Sequence, residues 1–273
     1  MEKLLEAQKE SRRLKAELEK GGSEPVTVEG RVRKAAEKQY VDGEDIFAVQ
    51  YTSVHKCADS DNVAGLKHFV LDKACDPSTQ DRWGNTPLHL AATRGHTNSL
   101  SLLLELESDP NAKNNKGWTP AHEAAVGGHC DILEILFERG ADMTLRDVTG
   151  GTAAHLAAQS DNAEVLETLH KFQEFPLGPE VLEVKMNNGM TPAHQAALYN
   201  SPNALRFLAS TGANLDARDM MNETPAHKAA RSQKQEALAV LREVGCDPSR
   251  RNDEDDDVED LLVDEARCWH TDL

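Results

Sequence analysis

Residues 81–96 read DRWGNTPLHLAATRGH, and the local chemistry of this stretch decides the fold. Asp81 to Asn85 is a turn, in which Gly84 is free to take positive φ. Thr86 stands where a helix N-cap belongs, its hydroxyl accepting from the first free backbone N–H groups. Pro87 is then the first helical residue, where its missing N–H costs nothing. Ala91 and Ala92 keep the helix slim enough for a close neighbour, and Gly95 ends it. A second helix follows, with Leu100, Leu103 and Leu104 forming a helical apolar stripe.

The stretch is not alone. Thr-Pro-x-His recurs at 86, 119, 191 and 224, with Thr152-Ala153-Ala154-His155 in the same series and Thr52-Ser53-Val54-His55 upstream. The spacing is 33 or 34 residues except for one step of 39. A period near 33 marks a repeat architecture, in which each helix pair buries its apolar face only by stacking on its neighbours. The copy KGWTPAHEAAVGGHCDILEILFERGAD (116–142) is the most regular. This pattern resembles the ankyrin repeat over about residues 50–252. The resemblance implies an all-α solenoid of stacked helix pairs with β-hairpin fingers along one side.

Departures within the array carry expectations of their own. Asn222 replaces the turn glycine, as the next most tolerant residue of left-handed backbone. NSPN (200–203) and SQKQ (232–235) replace the Gly-His after the first helix, so those helix ends are expected to be looser. Six extra residues fall within HKFQEFPLGPEVLEV (170–184) and predict a bulging loop.

The ends complete four segments: an N-terminal helix (1–22), a linker (23–45), six repeats (46–252) and an acidic half-repeat cap (253–273). Leu4, Ala7, Ser11, Leu14 and Leu18 line one face of the first helix, and Gly21-Gly22 stops it. Asp257 occupies the capping position of a seventh tetrad, and Val258, Leu261, Leu262, Ala266 and Trp269 follow on one helical face. A solenoid needs such a polar-faced lid. The same acidic stretch is open to a second use, docking a basic partner.

Composition excludes several function classes. The net charge is −17, and residues 253–273 hold ten acids against one Arg. A nucleic-acid-binding domain carries the opposite footprint. No apolar run is long enough to span a membrane, and the charged N-terminus does not read as a signal peptide. Five scattered cysteines without a CxxC pair point to the cytoplasm, with the nucleus or a cytoskeletal assembly as alternatives.

Six histidines recur at one repeat position: His55, His89, His122, His155, His194 and His227. A catalytic or metal site needs one convergent constellation, not one imidazole per repeat. The resemblance implies a structural role, with each ring tying its tetrad to neighbouring backbone. No nucleophile elbow, P-loop or zinc spacing is present. The expectation is therefore a non-enzyme with no cofactor, no metal, no small-molecule substrate and a protein partner.

In arrays of this kind the partner lies against finger tips and inner helices. Those positions carry Arg82, Trp83, Lys116, Trp118, Met190, Tyr199, Met220 and Met221, the aromatic and methionine chemistry expected of a binding hot spot. Asn85, Arg94, Asn115, Val148, Thr149, Asn188, Leu198, Glu223 and Arg231 fall among the same positions. A second column, Lys113, Arg146, Lys185, Arg218 and Arg251, precedes the fingers and would steer an acidic segment if its charge is not neutralised. Three functions fit: a scaffold binding along the fingers, an inhibitor masking a basic partner with its acidic C-terminus, and a component of a larger assembly docked through the first helix.

Overall fold

A computed structural model describes residues 46–172 and 181–262. The expected helix at 1–22, the linker, most of the loop at 170–184 and the end of the cap lie outside the described residues. Twelve α-helices are described: α1 (Ile46–Asp59), α2 (Val63–Lys67), α3 (Pro87–Arg94), α4 (Thr97–Glu105), α5 (Pro120–Gly127), α6 (Cys130–Glu138), α7 (Ala153–Gln159), α8 (Ala163–Lys171), α9 (Pro192–Leu198), α10 (Pro202–Ser210), α11 (Pro225–Arg231) and α12 (Gln235–Glu243). The odd helices from α3 pack on one another as an inner layer, and the even helices form an outer layer. The alanine pairs explain the close inner packing: Ala91-Ala92, Ala124-Ala125, Ala157-Ala158, Ala196-Ala197 and Ala229-Ala230 are all buried. Leu100, Leu103, Ile132, Leu133, Leu136, Leu166, Leu169, Leu205 and Leu208 fill the space between layers.

Each inner helix from α3 to α11 starts with the same reciprocal bond. The Thr86 side chain accepts from the His89 backbone, and the His89 ring accepts at Nδ1 from the Thr86 N–H at 3.1 Å. Thr119, Thr152, Thr191 and Thr224 repeat it with His122, His155, His194 and His227. Loss of the tetrad proline at Ala153 leaves the box intact.

The five-residue turn before each of these helices is a finger. Its first N–H is donated to its last carbonyl, as from Asp81 to Asn85 and from Asn114 to Trp118. Successive fingers are joined by one backbone bond each: Asn115 to Trp83, Val148 to Lys116, Asn187 to Thr149, Met220 to Asn188. The expected hairpins are thus stacked turns; no strand is assigned among the described residues, because each leg is too short for more than one such bond. Gly84, Gly117, Gly150 and Gly189 sit at φ of +76° to +82°, and Asn222 takes the same role at +57°.

The histidines connect the two levels. With Nδ1 accepting, the ring proton sits on Nε2, which donates to the carbonyl that closes the next finger. His89 donates to Trp118 at 3.0 Å, His122 to Gly151 at 3.3 Å, His155 to Met190 at 3.2 Å and His194 to Glu223 at 3.0 Å. His55 reaches Asn85 at 3.0 Å. His227 is fully buried, and its Nε2 has no hydrogen-bond partner among the described residues. The ladder stops there, although Asn252 and Asp256 still close a sixth finger.

The helix end at 200 is bonded where looseness was expected. Asn200 takes φ +61°, and its Oδ1 accepts from the N–H of Ala237 at 3.1 Å, capping the next outer helix. Asp61 and Asp161 do the same for Ser99 and Ala204. The Ser201 hydroxyl donates to the Gln159 carbonyl, in the place where His129 reaches Thr93. Small polar side chains thus replace the Gly-His pair at 200–201, while at 233–234 backbone bonds from Gln233 to Ala230 and from Lys234 to Ala229 close the helix end. Around the insertion, Phe172 stacks on Phe137 at 4.2 Å, and the chain returns to the core at Val181 and Leu182.

At the C-terminal end the box is rebuilt from acids. The Asp257 carboxylate accepts from the N–H groups of Glu259 and Asp260 at 2.9 Å each, and Asp260 accepts from the Asp257 N–H at 3.2 Å. Residues 258–262 are helical, Val258 is buried, and Leu261 and Leu262 pack on the core.

Two outcomes follow from the ladder. Burial holds His122, His155 and His194 at pKa values of about 4 in the folded chain, against 6.5 for the free side chain. The unfolded chain therefore binds more protons between those values, and stability present above pH 6.5 is lost as pH falls through about 4. The urea midpoint should be lower at pH 5 than at pH 7.5; an unchanged midpoint would contradict neutral buried rings. Second, His155→Ala should cost about 1 kcal/mol more than His227→Ala, the worth of the one bond that His227 does not make. Denaturant unfolding of the two variants measures the difference, and equal losses would count against the ladder.

Candidate functional site: the finger tips and the inner-helix groove

The finger geometry sorts its side chains by position. The second and third residues form the tip and are exposed: Arg82-Trp83, Asn115-Lys116, Val148-Thr149, Asn187-Asn188, Met220-Met221 and Asp253-Glu254. The fifth residue precedes the capping threonine and turns inward. This corrects the expectation for Met190, which is 5% exposed. Its thioether accepts from the Asn188 amide and its carbonyl from His155. Glu223 holds the same position and is buried as well. It pairs with Lys228 and with Arg231 at 2.8 Å, while Lys228 also reaches Asp219 at 2.7 Å. Glu223 and Arg231 are therefore part of an internal ion cluster.

Of the anchors expected from sequence, Trp83 is 55% exposed, Tyr199 51%, Met220 73% and Met221 48%. Trp118 is half-buried, and its indole N–H donates to the Asp147 carboxylate at 3.1 Å. The Arg82 guanidinium lies 3.8 Å from the Trp83 ring centroid, and the Lys116 ammonium 4.6 Å from that of Trp118.

Lys116, Trp118, Val148, Thr149 and Tyr199 meet around one cleft of about 330 Å³ between the tips and helices α7 and α9. Arg82, Trp83, Met190, Met220 and Met221 do not line it. Asp147, Gly151, His155, Leu156, Gln159, Met186 and Gln195 complete the wall, and sequence reasoning missed Leu156, Gln159, Met186 and Gln195. Met186 left a signal. The first finger residue is elsewhere Asp or Asn, whose side chain accepts from the third and fifth N–H groups, as Asp147 does from Thr149 and Gly151 at 2.8 Å. Met186 breaks that rule and places its thioether 3.0 Å from the Gln195 amide.

Electrostatics around the cleft are unequal. Burial opposes the Asp147 charge, yet donors from Thr149, Gly151 and Trp118 outweigh it and hold the carboxyl below its usual range. Arg94 pairs with Asp59 at 2.7 Å. Burial raises the Glu123 pKa, although the Thr93 hydroxyl donates to that carboxylate at 3.2 Å. Arg82 and Lys116 have no carboxylate within 4.0 Å among the described residues.

The basic column has a nearer use than steering. Lys113 donates to the Arg146 carbonyl at 2.7 Å, Lys185 to the Arg218 carbonyl at 3.0 Å, and Arg218 to the Arg251 carbonyl at 2.9 Å. Arg251 turns to Asp255 in its own finger. These side chains splice one repeat to the next, while Arg146 is exposed. No group of three or more His, Cys, Asp or Glu side chains is placed to hold a metal among the described residues, and none of their helices is long and apolar enough to cross a membrane. Burial pushes the Cys246 thiol up to about 11, far from a reactive thiolate.

Met186→Asp tests the wall. The new carboxylate can take the Asn188 N–H as Asp147 takes that of Thr149, while the Met190 N–H is already held by the Asn188 side chain at 3.1 Å. The added bond should stabilise the chain by about 0.5–1.5 kcal/mol in denaturant unfolding. A loss of stability would contradict the assignment of Met186 as a side chain that gives up a turn bond to form the cleft.

Comparison with known proteins agrees with this geometry. The family model described as ankyrin repeats (3 copies) matches residues 54–147 and again 154–252. The crystal structure of the human ASB11 ankyrin repeat domain is similar with a TM-score of 0.62 at 25% identity, over 76% of this chain and 90% of that one. No protein with a curated description matches the chain. With the family model covering most of the chain, and the capped helix pairs stacked as that family requires, the chain belongs to the ankyrin repeat family, whose repeats generally mediate protein–protein interaction.

Proposed function

We propose that the chain is a non-enzymatic, cytoplasmic scaffold that holds an extended segment of a partner protein against the finger tips and the inner helices. One observation carries this reading. Exposed Trp83, Val148, Met220 and Met221 stand on a ledge whose backbone is hydrogen-bonded from finger to finger, and Tyr199 ends inner helix α9 beside a cleft of about 330 Å³. Large apolar side chains on a rigid frame lose little entropy on binding, which is what a hot spot needs.

The inhibitor alternative draws less support. Within the cap Glu254 pairs with Arg231, Glu259 with Arg242 and Asp255 with Arg251, so part of its charge is spent internally. Docking through the first helix concerns residues outside those described.

The test is affinity capture from native lysate with the wild type and a Trp83→Ala/Tyr199→Ala variant. Both side chains are half exposed, so the variant should melt as the wild type does. Trp118 is left in place because its indole N–H holds Asp147. A captured protein should bind the variant about 30-fold more weakly, the worth of ~2 kcal/mol. Equal capture by both would remove the ledge from the binding surface.

A further inference from the structure

We infer that the segment bound in this groove is acidic, with an apolar side chain in the cleft and carboxylates on Arg82 and Lys116. The inference rests on the scaffold reading above and adds the chemistry of the partner. It starts from which charges near the groove are already satisfied. On the inner helices Arg94 is paired with Asp59, and Lys228 and Arg231 with Asp219, Glu223 and Glu254. Asp147 is spent on its own finger and on the Trp118 indole. Arg82 and Lys116 remain exposed with no carboxylate within 4.0 Å among the described residues, in a chain of net charge −17; Glu123 lies near enough to feel the Lys116 charge, but burial disfavours its ionised form. An acidic protein places few bare cations side by side, and these two lie on adjacent finger tips beside the cleft.

Each cation is also positioned. It rests over the face of an indole, Arg82 on Trp83 and Lys116 on Trp118. That contact restricts a flexible stem while leaving N–H donors at its edge for a carboxylate. The tips change character along the array, from Arg82 and Lys116 through Val148 and Met220 to Asp253 and Glu254. A basic or neutral segment has no reason to prefer the first end; an acidic one does, and the far end repels it.

The spacing of the acids follows from the stack. Each finger contributes two hydrogen-bonded legs, so fingers recur at about twice the ~4.8 Å spacing of paired chains, roughly 10 Å. An extended segment in the polyproline II conformation rises ~3.1 Å per residue with about three residues per turn, so side chains three apart share one face and meet neighbouring repeats. The ligand is therefore Asp or Glu at positions i and i+3, with Leu, Ile, Met or Phe a few residues further on, facing Trp118, Leu156 and Tyr199.

Panning a phage-displayed library of random 12-residue peptides against the full chain tests this, with fluorescence anisotropy on the most enriched peptide. Enrichment of acid pairs beside an apolar residue is expected. That peptide should bind at least tenfold more weakly to both Lys116→Glu and Tyr199→Ala, and its affinity should fall several-fold when salt is raised from low to high. Peptides without acidic enrichment, lost on Tyr199→Ala but indifferent to Arg82→Glu/Lys116→Glu, would overturn the charge assignment while leaving the groove in place. Peptides indifferent to Tyr199→Ala would overturn the groove itself. Enrichment of basic peptides, a library without any enriched sequence, or self-association of the chain abolished by Lys116→Glu would each overturn the proposal.

Discussion

The closing carbonyl of each of the first five fingers is the point on which the structure depends. It accepts twice, once from the first N–H of its own finger and once from the imidazole of the preceding repeat. A carbonyl oxygen has two lone pairs, so both are used. From His89 on, the same imidazole accepts the Thr N–H that begins its own helix. One side chain therefore fixes helix start, finger closure and repeat spacing together. The bonds are buried, so breaking one leaves a polar group with no water to turn to.

That economy frees the rest of the finger. Because the fifth residue is locked inward and the first closes the turn, only the second and third project, and their identity is almost unconstrained by folding. Arg-Trp, Val-Thr, Met-Met and Asp-Glu all occupy this site on one backbone. Affinity for a partner can vary there at little cost to the stack. Met186 is the exception that shows the boundary, since it gives up a turn-closing carboxylate in order to shape the cleft.

Much of this was legible in the sequence. The tetrad and its period disclosed helix pairs, caps and stacking, because those are properties of local chemistry repeated in register. The cap was legible for the same reason: Asp257 and Asp260 stand one period after Thr224 and His227, and rebuild the box with acids. What escaped depends on the packing of one repeat against the next. Met190 looked like an exposed anchor because its side chain was judged by type and not by finger position. The column of Lys113, Lys185 and Arg218 looked like free charge, since nothing in a linear pattern says that a side chain will reach a carbonyl 33 residues on. Leu156, Gln159 and Gln195 were invisible as a wall until helices α7 and α9 stood side by side.

The two ends of the array show why a ladder needs different terminations. At the first end His55 already donates to the Asn85 carbonyl, so the ladder begins fully bonded. At the last, His227 finds no acceptor among the described residues, although the sixth finger is closed and its helix is capped. Apolar burial of Val258, with Leu261 and Leu262 packed behind it, holds the lid there. Ion pairs from Glu254 and Glu259 to Arg231 and Arg242 add surface contacts of small individual worth. The cap thus keeps the finger-to-finger bond, from the Asp253 N–H to the Met221 carbonyl, and the Arg218 splice to Arg251, but apolar burial stands where the repeats before it have an imidazole bond. Among the described residues of this half-repeat Val258 is buried while Glu259 and Asp260 are exposed, the one-sided polarity of a helix packed on a stack through a single face.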